Sequence, residues 1–384
     1  MKERNLSIDI FRGLTMALMV FVNDLWTVHD VPQWMMHTAT HTDGMGLADF
    51  VFPMFLFVMG MSVPYALENR ISRGQADGEI IRHILGRTLA LLVMGVFIYN
   101  GERGTMVCDR GVYHLLMLTG FFLVWNRYPE GFRARRWLRL AGVLLLAVLA
   151  ITYRTSKGEW FQAGWWGILG IIGWTYLFSA TAWLLCRRRP WILGFVWAVL
   201  CFVNLSVVPM RGSEAWIGKN ILADFTGALH LGNGYGGVLA LGGMLTVLAG
   251  QSLAKGKAWI GFGAAILLAA LGWCAHQGWI LSKNIGTLPW CLYVCALSVA
   301  LYSLLRILEK RGWTGWASPL RPAGVATLTV YIIPYFFYAI RHFLALDSPA
   351  WLCGYPGTLK CILFAALCIA TAWALGKCGI RLKV

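Results

Sequence analysis

Between residues 23 and 49 the chain gathers Asn23, Asp24, His29, Asp30, His37, His41, Asp43 and Asp49, with no Lys or Arg among them. Histidine titrates near neutral pH and can take a proton from an attacking amine or hydroxyl. A carboxylate beside it can orient the imidazole and stabilise its charged form. An amide such as Asn23 can donate a hydrogen bond to a developing oxyanion. These residue types have the chemistry of an acyl-transfer site. Each of them also suits a loop solvated at an interface, so it is their convergence that argues for chemistry.

The elements that must position these groups are hydrophobic helices. Of the 384 residues 58% are hydrophobic and 13% charged, and the mean hydropathy is +0.63. A soluble fold of this composition lacks the polar surface to cover itself, whereas lipid solvates an apolar exterior. Apolar runs recur near 10–28, 47–67, 84–101, 111–125, 138–153, 164–186, 191–208, 234–253, 259–281, 288–307, 323–343 and 358–376. A bilayer core takes roughly 20 helical residues. The pattern predicts an all-α, polytopic membrane helical bundle of 11–12 spans forming a single domain over residues 1–384, and the run 111–125 is the shortest. The short polar start, Met1–Ile8, lacks the apolar core of a cleaved signal.

Loop charge gives these spans an orientation. With both termini cytoplasmic, the inside segments hold Lys2, Arg4 and Arg12, then Arg70, Arg73, Arg82 and Arg87, then Arg127 to Arg139, Arg187 to Arg189, Lys255 and Lys257, Arg306 to Arg321, and Lys377 to Lys383. Each is richer in Lys and Arg than the outside loops beside it, as the positive-inside rule requires. The net charge of +16 is therefore topological and suited to anionic lipid, and nucleic acid is excluded as a partner. The histidine-bearing loop falls outside, as does a second long loop, 209–233, with Glu214, Asp224, His230 and Asn233.

The ten cysteines show no disulfide framework and no zinc spacing, and no metal is expected. Cys186, Cys201, Cys274, Cys291, Cys295, Cys361 and Cys368 lie in apolar runs, and Cys108 and Cys353 in outside loops open to a bridge. Pro53, Gly60 and Pro64 in the second span, and Pro334 in the eleventh, predict breaks or bends and close helix approach. Trp26, Trp34, Trp160 and Trp290 read as an interfacial aromatic belt, with Trp26 or Trp34 also suited to stacking on a sugar.

One stretch carries a resemblance. Ile8-Asp9-Ile10-Phe11-Arg12-Gly13, Phe21-Val22-Asn23, His37, and the run from Gly46 through Ala48-Asp49-Phe50 and Pro53 to Ser62 resemble the heparan-alpha-glucosaminide N-acetyltransferase family, most closely its bacterial members of the DUF5009 type. The strong match covers residues 5–70, with a weaker one over Pro322 to Tyr338. The resemblance implies transfer of acetyl from cytosolic acetyl-CoA to an amino sugar across the membrane. It matches Asn23 to the family's Asn ending the first span and Asp49 to its Asp opening the second. It assigns the catalytic His to the first outside loop, in a His-Ala-x-Trp-Asn-Gly motif. Here that place reads His37-Thr-Ala-Thr-His41-Thr-Asp43-Gly44, two residues longer, without the Trp and with Asp43 for Asn. The resemblance favours His37 as base and leaves His41 as its rival. Gly111-Val112-Tyr113-His114 stands where the family often has Gly-Val-Leu-Gln-Arg.

The expected protein is a membrane-bound acetyltransferase of the bacterial inner membrane, with His37 on the periplasmic side as base. Asp49 orients it, Asn23 steadies the oxyanion, and Asp24 and Asp43 lend support. Arg12, Arg70, Arg73 and Arg87 are the expected partners of the phosphates of acetyl-CoA, Arg12 foremost because it stands three residues from Asp9. A covalent acetyl-His step is open, and the acceptor is an amino sugar or glycan. Membrane lipid is a further partner, and a homodimer is one assembly open to the chain. The rival reading is a sugar or small-solute transporter, which twelve spans with prolines also suit.

Overall fold

The computed structural model describes residues 5–103, 106, 108–186, 189–212, 221–228, 230–252, 258–346, 348–349 and 351–384. Lys2, Arg4, Arg187, Arg188, Glu214, Lys255 and Lys257 lie outside the described residues. In chain order the α-helices are α1 (Leu6–Asp24), α2 (Leu47–Ile71), α3 (Asp77–Glu102), α4 (Arg110–Trp125) and α5 (Arg135–Thr152). They continue with α6 (Ile168–Leu185), α7 (Pro190–Val207), α8 (Ile221–Ala228), α9 (Tyr235–Ser252) and α10 (Ala258–His276). The last are α11 (Leu288–Lys310), α12 (Arg321–Val325), α13 (Thr327–Phe343) and α14 (Gly354–Lys377). Among the described residues there is no strand, only isolated bridges.

All twelve apolar runs form helices, but they are not equally suited to a bilayer. Among the described residues eight helices are long and apolar enough to cross a membrane: α1, α2, α3, α6, α7, α10, α11 and α14. A ninth span arises if α12 and α13, bent by 79° at their junction, count as one. The helix α4 has 16 residues, about 24 Å at 1.5 Å per residue, and so falls short of a core roughly 30 Å thick. In α5 the first turns carry Arg135, Arg136 and Arg139. Eight such helices fit an integral membrane protein.

The chain divides into two compact units. The first comprises Met1–Thr15, Pro32–Thr88 and Ile171–Pro319. Within it α10 packs along α11, α2 along α9, and α7 on α9, while α11 also touches α2 and α9. Glycine sets the α2–α9 approach: a Cβ on Gly60 would lie 1.9 Å from the Ala240 carbonyl oxygen, and one on Gly243 2.0 Å from that of Phe57. Any larger residue would force the two backbones apart. The second unit comprises Met16–Val31, Leu89–Gly170 and Leu320–Val384. There α4 packs on α5 and α13, and α12 and α13 pack on α14.

The prolines do not break α2, which runs unbroken through Pro53 and Pro64. Pro53 has no N–H to offer the Asp49 carbonyl one turn earlier. That carbonyl instead accepts the indole N–H of Trp290 at 3.0 Å. Trp290 is thus not part of an interfacial belt; it is 1% exposed and spans the gap that the proline creates. Pro334 likewise sits inside a continuous α13. All ten cysteines are free, Cys108 and Cys353 included.

Candidate functional site

The first unit brings His37 and Asp49 together. Helix α2 begins after Gly46, and Asp49 in its first turn reaches back to accept the Gly46 N–H at 3.0 Å. This caps a helix N-terminus with a carboxylate, which both satisfies an orphan donor and complements the helix dipole. Gly46 is required for a local reason: a Cβ there would lie 1.9 Å from the Met36 carbonyl oxygen. The same Asp49 oxygen accepts the Thr38 N–H and the Thr38 hydroxyl, both at 3.1 Å. The other oxygen stands 2.7 Å from His37 Nδ1. The Asp49 side chain is 1% exposed and that of His37 50%. A carboxylate anchored by three other donors acts as an acceptor, so Nδ1 carries the hydrogen and donates it. The Nε2 lone pair is then left for a reacting partner.

A second segment, 277–287, holds the histidine loop in place. Gly44 N–H donates to the Leu281 carbonyl at 3.0 Å, and the Ser282 hydroxyl donates to that of Thr40 at 2.8 Å. Asn284 donates its amide to the Thr38 carbonyl at 3.1 Å. Asp43 is the anchor at the far end. It accepts the Leu281 N–H at 2.8 Å, His276 Nε2 at 2.8 Å, and the Arg211 guanidinium. Burial raises the Asp43 carboxyl, but the Leu281 and His276 hydrogen bonds and the charges of His276 and Arg211 outweigh it, holding it below the usual carboxylate value. Lys283, half-buried, places Nζ 3.4 Å from His37 Nδ1. Burial pushes its ammonium below the ordinary lysine value, and the charge of Asp49 works against that shift. His41 is exposed, and its side chain makes no hydrogen bond among the described residues.

Asn23 and Asp24 lie in the second unit. There a cavity of about 860 Å³ is walled by Asn23, Trp26, Glu102, His114, Tyr335 and Arg341, among others. Its size is that of a small-molecule site, and its aromatic walls with a few convergent polar groups fit the general character of one. The Tyr335 hydroxyl donates to Glu102 at 2.6 Å. His114 is 6% exposed, and its Nε2 atom is buried without a hydrogen-bond partner. Trp26, 68% exposed, meets the Tyr338 ring edge-on at 5.6 Å. Behind this wall Asp24 is fully buried and paired with Lys360 Nζ at 2.7 Å, while the Tyr338 hydroxyl donates to it at 3.1 Å. Lys360 also donates to the Thr27 hydroxyl at 2.7 Å.

Three of the four expected phosphate-binding arginines have separate local partners. Arg12 donates to the Ser62 hydroxyl at 2.8 Å and lies 3.6 Å from Asp9. Arg70 donates to Gln75 at 2.9 Å, Arg87 lies over the Tyr176 ring at 4.6 Å, and Arg73 is exposed. None of the four lines the cavity. Trp34 is exposed in the histidine loop of the first unit, so of the two tryptophans suited to stacking only Trp26 faces the cavity. Among the described residues no group of three His, Cys, Asp or Glu side chains is arranged to hold a metal ion.

Lys283, Glu102, Tyr335 and Arg341 escaped the sequence reading, and Trp290 reads there only as part of an interfacial belt. Glu102 had a signal, an acidic residue at the end of an apolar run. Lys283 had none, being one lysine in an ordinary polar break.

Comparison with known proteins agrees with the resemblance. A mouse protein named heparan-alpha-glucosaminide N-acetyltransferase is 30% identical over 135 residues, covering 32% of this chain and 20% of the mouse protein. A human protein of the same name is 34% identical over 94 residues, covering 24% of this chain and 13% of the human one. The matched stretch thus spans a fifth or less of each relative's length. The family described as a domain of unknown function, DUF5009, matches residues 4–235, more than half of the chain. On that match, over a stretch that includes His37, Asp49 and Asn23, the chain belongs to the DUF5009 family.

Proposed function

We propose that the protein is a membrane-bound acetyltransferase that moves acetyl from acetyl-CoA to the amine of an amino sugar, with His37 as general base. The observation that carries this reading is the His37–Asp49 pair: a fixed tautomer with Nε2 presented on an exposed ring. The names of the mouse and human relatives supply the acyl group and the class of acceptor.

In the proposed reaction the acceptor nitrogen attacks the thioester carbonyl carbon, and the carbonyl π pair moves to oxygen. His37 Nε2 takes a proton from that nitrogen, and Asp49 stabilises the imidazolium that results. The tetrahedral intermediate then collapses, the carbon–sulfur bond breaks, and the thiolate leaves as CoA after taking a proton from His37. The products are an N-acetyl sugar and free CoA. Asp43 supports the site by fixing the histidine loop. In the second unit Asp24 holds the Tyr338 wall of a cavity of a size to take a small molecule, and the Asn23 amide is a hydrogen-bond donor on its wall. Acetyl-CoA arrives from the cytosolic side, where Arg12, Arg70, Arg73 and Arg87 offer charge to its phosphates, and the acceptor from the periplasmic side of an inner membrane.

The test is acetyl transfer by the purified full-length protein in nanodiscs, from radiolabelled acetyl-CoA to glucosamine. Labelled N-acetylglucosamine is expected, and a His37→Ala variant should abolish it. Absence of transfer to any amino sugar overturns the reading. Uptake of labelled sugar into proteoliposomes without acetyl-CoA would establish the transporter alternative instead.

A further inference from the structure

Lys283 is the one group beside His37 that the proposed reaction leaves without a task. Its Nζ lies 3.4 Å from His37 Nδ1. That nitrogen has already given its hydrogen to Asp49 at 2.7 Å, so it has no lone pair for the ammonium. Asp49 offers no obvious place either. One of its oxygens takes His37, and the other takes Gly46 N–H and two donors of Thr38. The side chain of Lys283 makes no other hydrogen bond or ion pair among the described residues. Neighbouring Asn284 and Ser282 spend their side chains on backbone carbonyls of the histidine loop, but Lys283 does not. A half-buried cation with three donors and no acceptor is a group prepared for an anion.

We propose that Lys283 is a catalytic residue whose ammonium stabilises the oxyanion formed when the acceptor amine attacks the acetyl thioester at His37. The inference rests on the acetyltransferase reading. When the carbonyl π pair moves to oxygen, the negative charge appears beside the imidazole that is receiving the proton. The flexible four-carbon stem of lysine lets Nζ follow that oxygen, and a fixed positive charge there acts on the transition state and not on the ground state. Once the carbon–sulfur bond breaks, the charge returns to the carbonyl and leaves on sulfur, and Lys283 ends the cycle still protonated. Burial and the charge of Asp49 act on its ammonium; His37 stands beside it, and Asp43, His276 and Arg211 are the other titratable or charged groups in the anchor of the same loop.

The experiment compares wild type with Lys283→Met and Lys283→Arg in nanodiscs, measuring kcat and the KM for acetyl-CoA from pH 6 to 10, corrected for thioester hydrolysis. Lys283→Met is expected to lower kcat by about 10²- to 10³-fold, with KM little changed. Wild-type kcat should fall at alkaline pH as the ammonium deprotonates, a limb that Lys283→Met lacks. Lys283→Arg should recover part of the rate and move the limb to higher pH, because a guanidinium stays charged. A merely structural role would lower the rate while leaving the alkaline limb in place, and that outcome overturns the proposal. So does a rise in KM with kcat intact, which makes Lys283 an anchor for the phosphates of CoA. Unchanged kinetics overturn it while leaving His37 chemistry standing, whereas wild type inactive with every amino sugar overturns both.

Discussion

Replacing Asp49 with Asn tests the core of the chemistry with little change of shape. The carboxylate has two different sides. One oxygen faces Gly46 N–H, Thr38 N–H and the Thr38 hydroxyl, and the other faces His37 Nδ1. Two of the donors on the first side are backbone groups that cannot turn away, so the new amide must present its carbonyl oxygen there. Its NH₂ then faces His37. Because NH₂ only donates, Nδ1 must become the acceptor, and the ring hydrogen moves to Nε2. The base loses its lone pair while the ring stays in place. A wrong tautomer of this kind lowers kcat by about 10⁴-fold in a serine-protease triad, and a 10³- to 10⁴-fold loss, about 4–5.5 kcal/mol, is expected here. Stability should fall by only about 1–3 kcal/mol, since neutral hydrogen bonds replace charged ones at unchanged positions. Asp49→Ala should destabilise more, by leaving the Gly46 and Thr38 donors without partners. The assay is initial-rate acetyl transfer alongside thermal unfolding in the same detergent. Transfer by Asp49→Asn within tenfold of wild type, with an unchanged melt, would refute the tautomer argument.

Three further outcomes follow from the geometry. His41→Ala should retain activity within about threefold in the transfer assay, because an exposed ring with no orienting partner has no fixed tautomer to contribute; a loss equal to that of His37→Ala would exchange their roles. Lys360→Met should destabilise by about 3–5 kcal/mol by stranding the buried Asp24 charge, and Asp24→Asn on top of it should restore much of the loss, as thermal melts will show. The anchor at Asp43 should be acid-labile. Its carboxyl lies below the unfolded value, so the stabilisation it gives is full above about pH 3.9 and is lost as pH falls through the folded value. Melting of Asp43→Asn should accordingly depend less on pH in that range than wild type, and an identical acid limb would show that the anchor is not the cause.

What the sequence made legible was what local pattern decides. Each apolar run became a helix because hydropathy is written in consecutive residues, and Asp49 could be read as an orienting carboxylate because a first-turn side chain reaches back over the loop before it. What it concealed was set by long-range partners. Pro53 reads as a break only until a donor for the Asp49 carbonyl is found, and that donor, Trp290, comes from α11, 241 residues away. Lys283 reaches His37 across 246 residues of sequence and has no motif to announce it. Asn23 is close to His37 in sequence, and its own packing is in the second unit, among the aromatic walls of a cavity. The four arginines were grouped by sign alone, and sign does not gather side chains of which three, Arg12, Arg70 and Arg87, have separate local partners.

What the sequence concealed has one cause, dependence on partners far along the chain. The histidine loop is tied to itself through Asp49, Thr38 and Gly46, and it is tied from outside by 277–287, a segment beyond the residues that match DUF5009. His37 and Asp49 therefore lie in the family-matched part, while a segment that anchors their loop and brings a positive charge to them lies outside it. On the proposed reading, change at Lys283, Asn284 or His276 alters rate without touching a family-matched residue. The sharper place to compare this chain with its relatives is accordingly the loop that precedes α11, outside the family-matched residues.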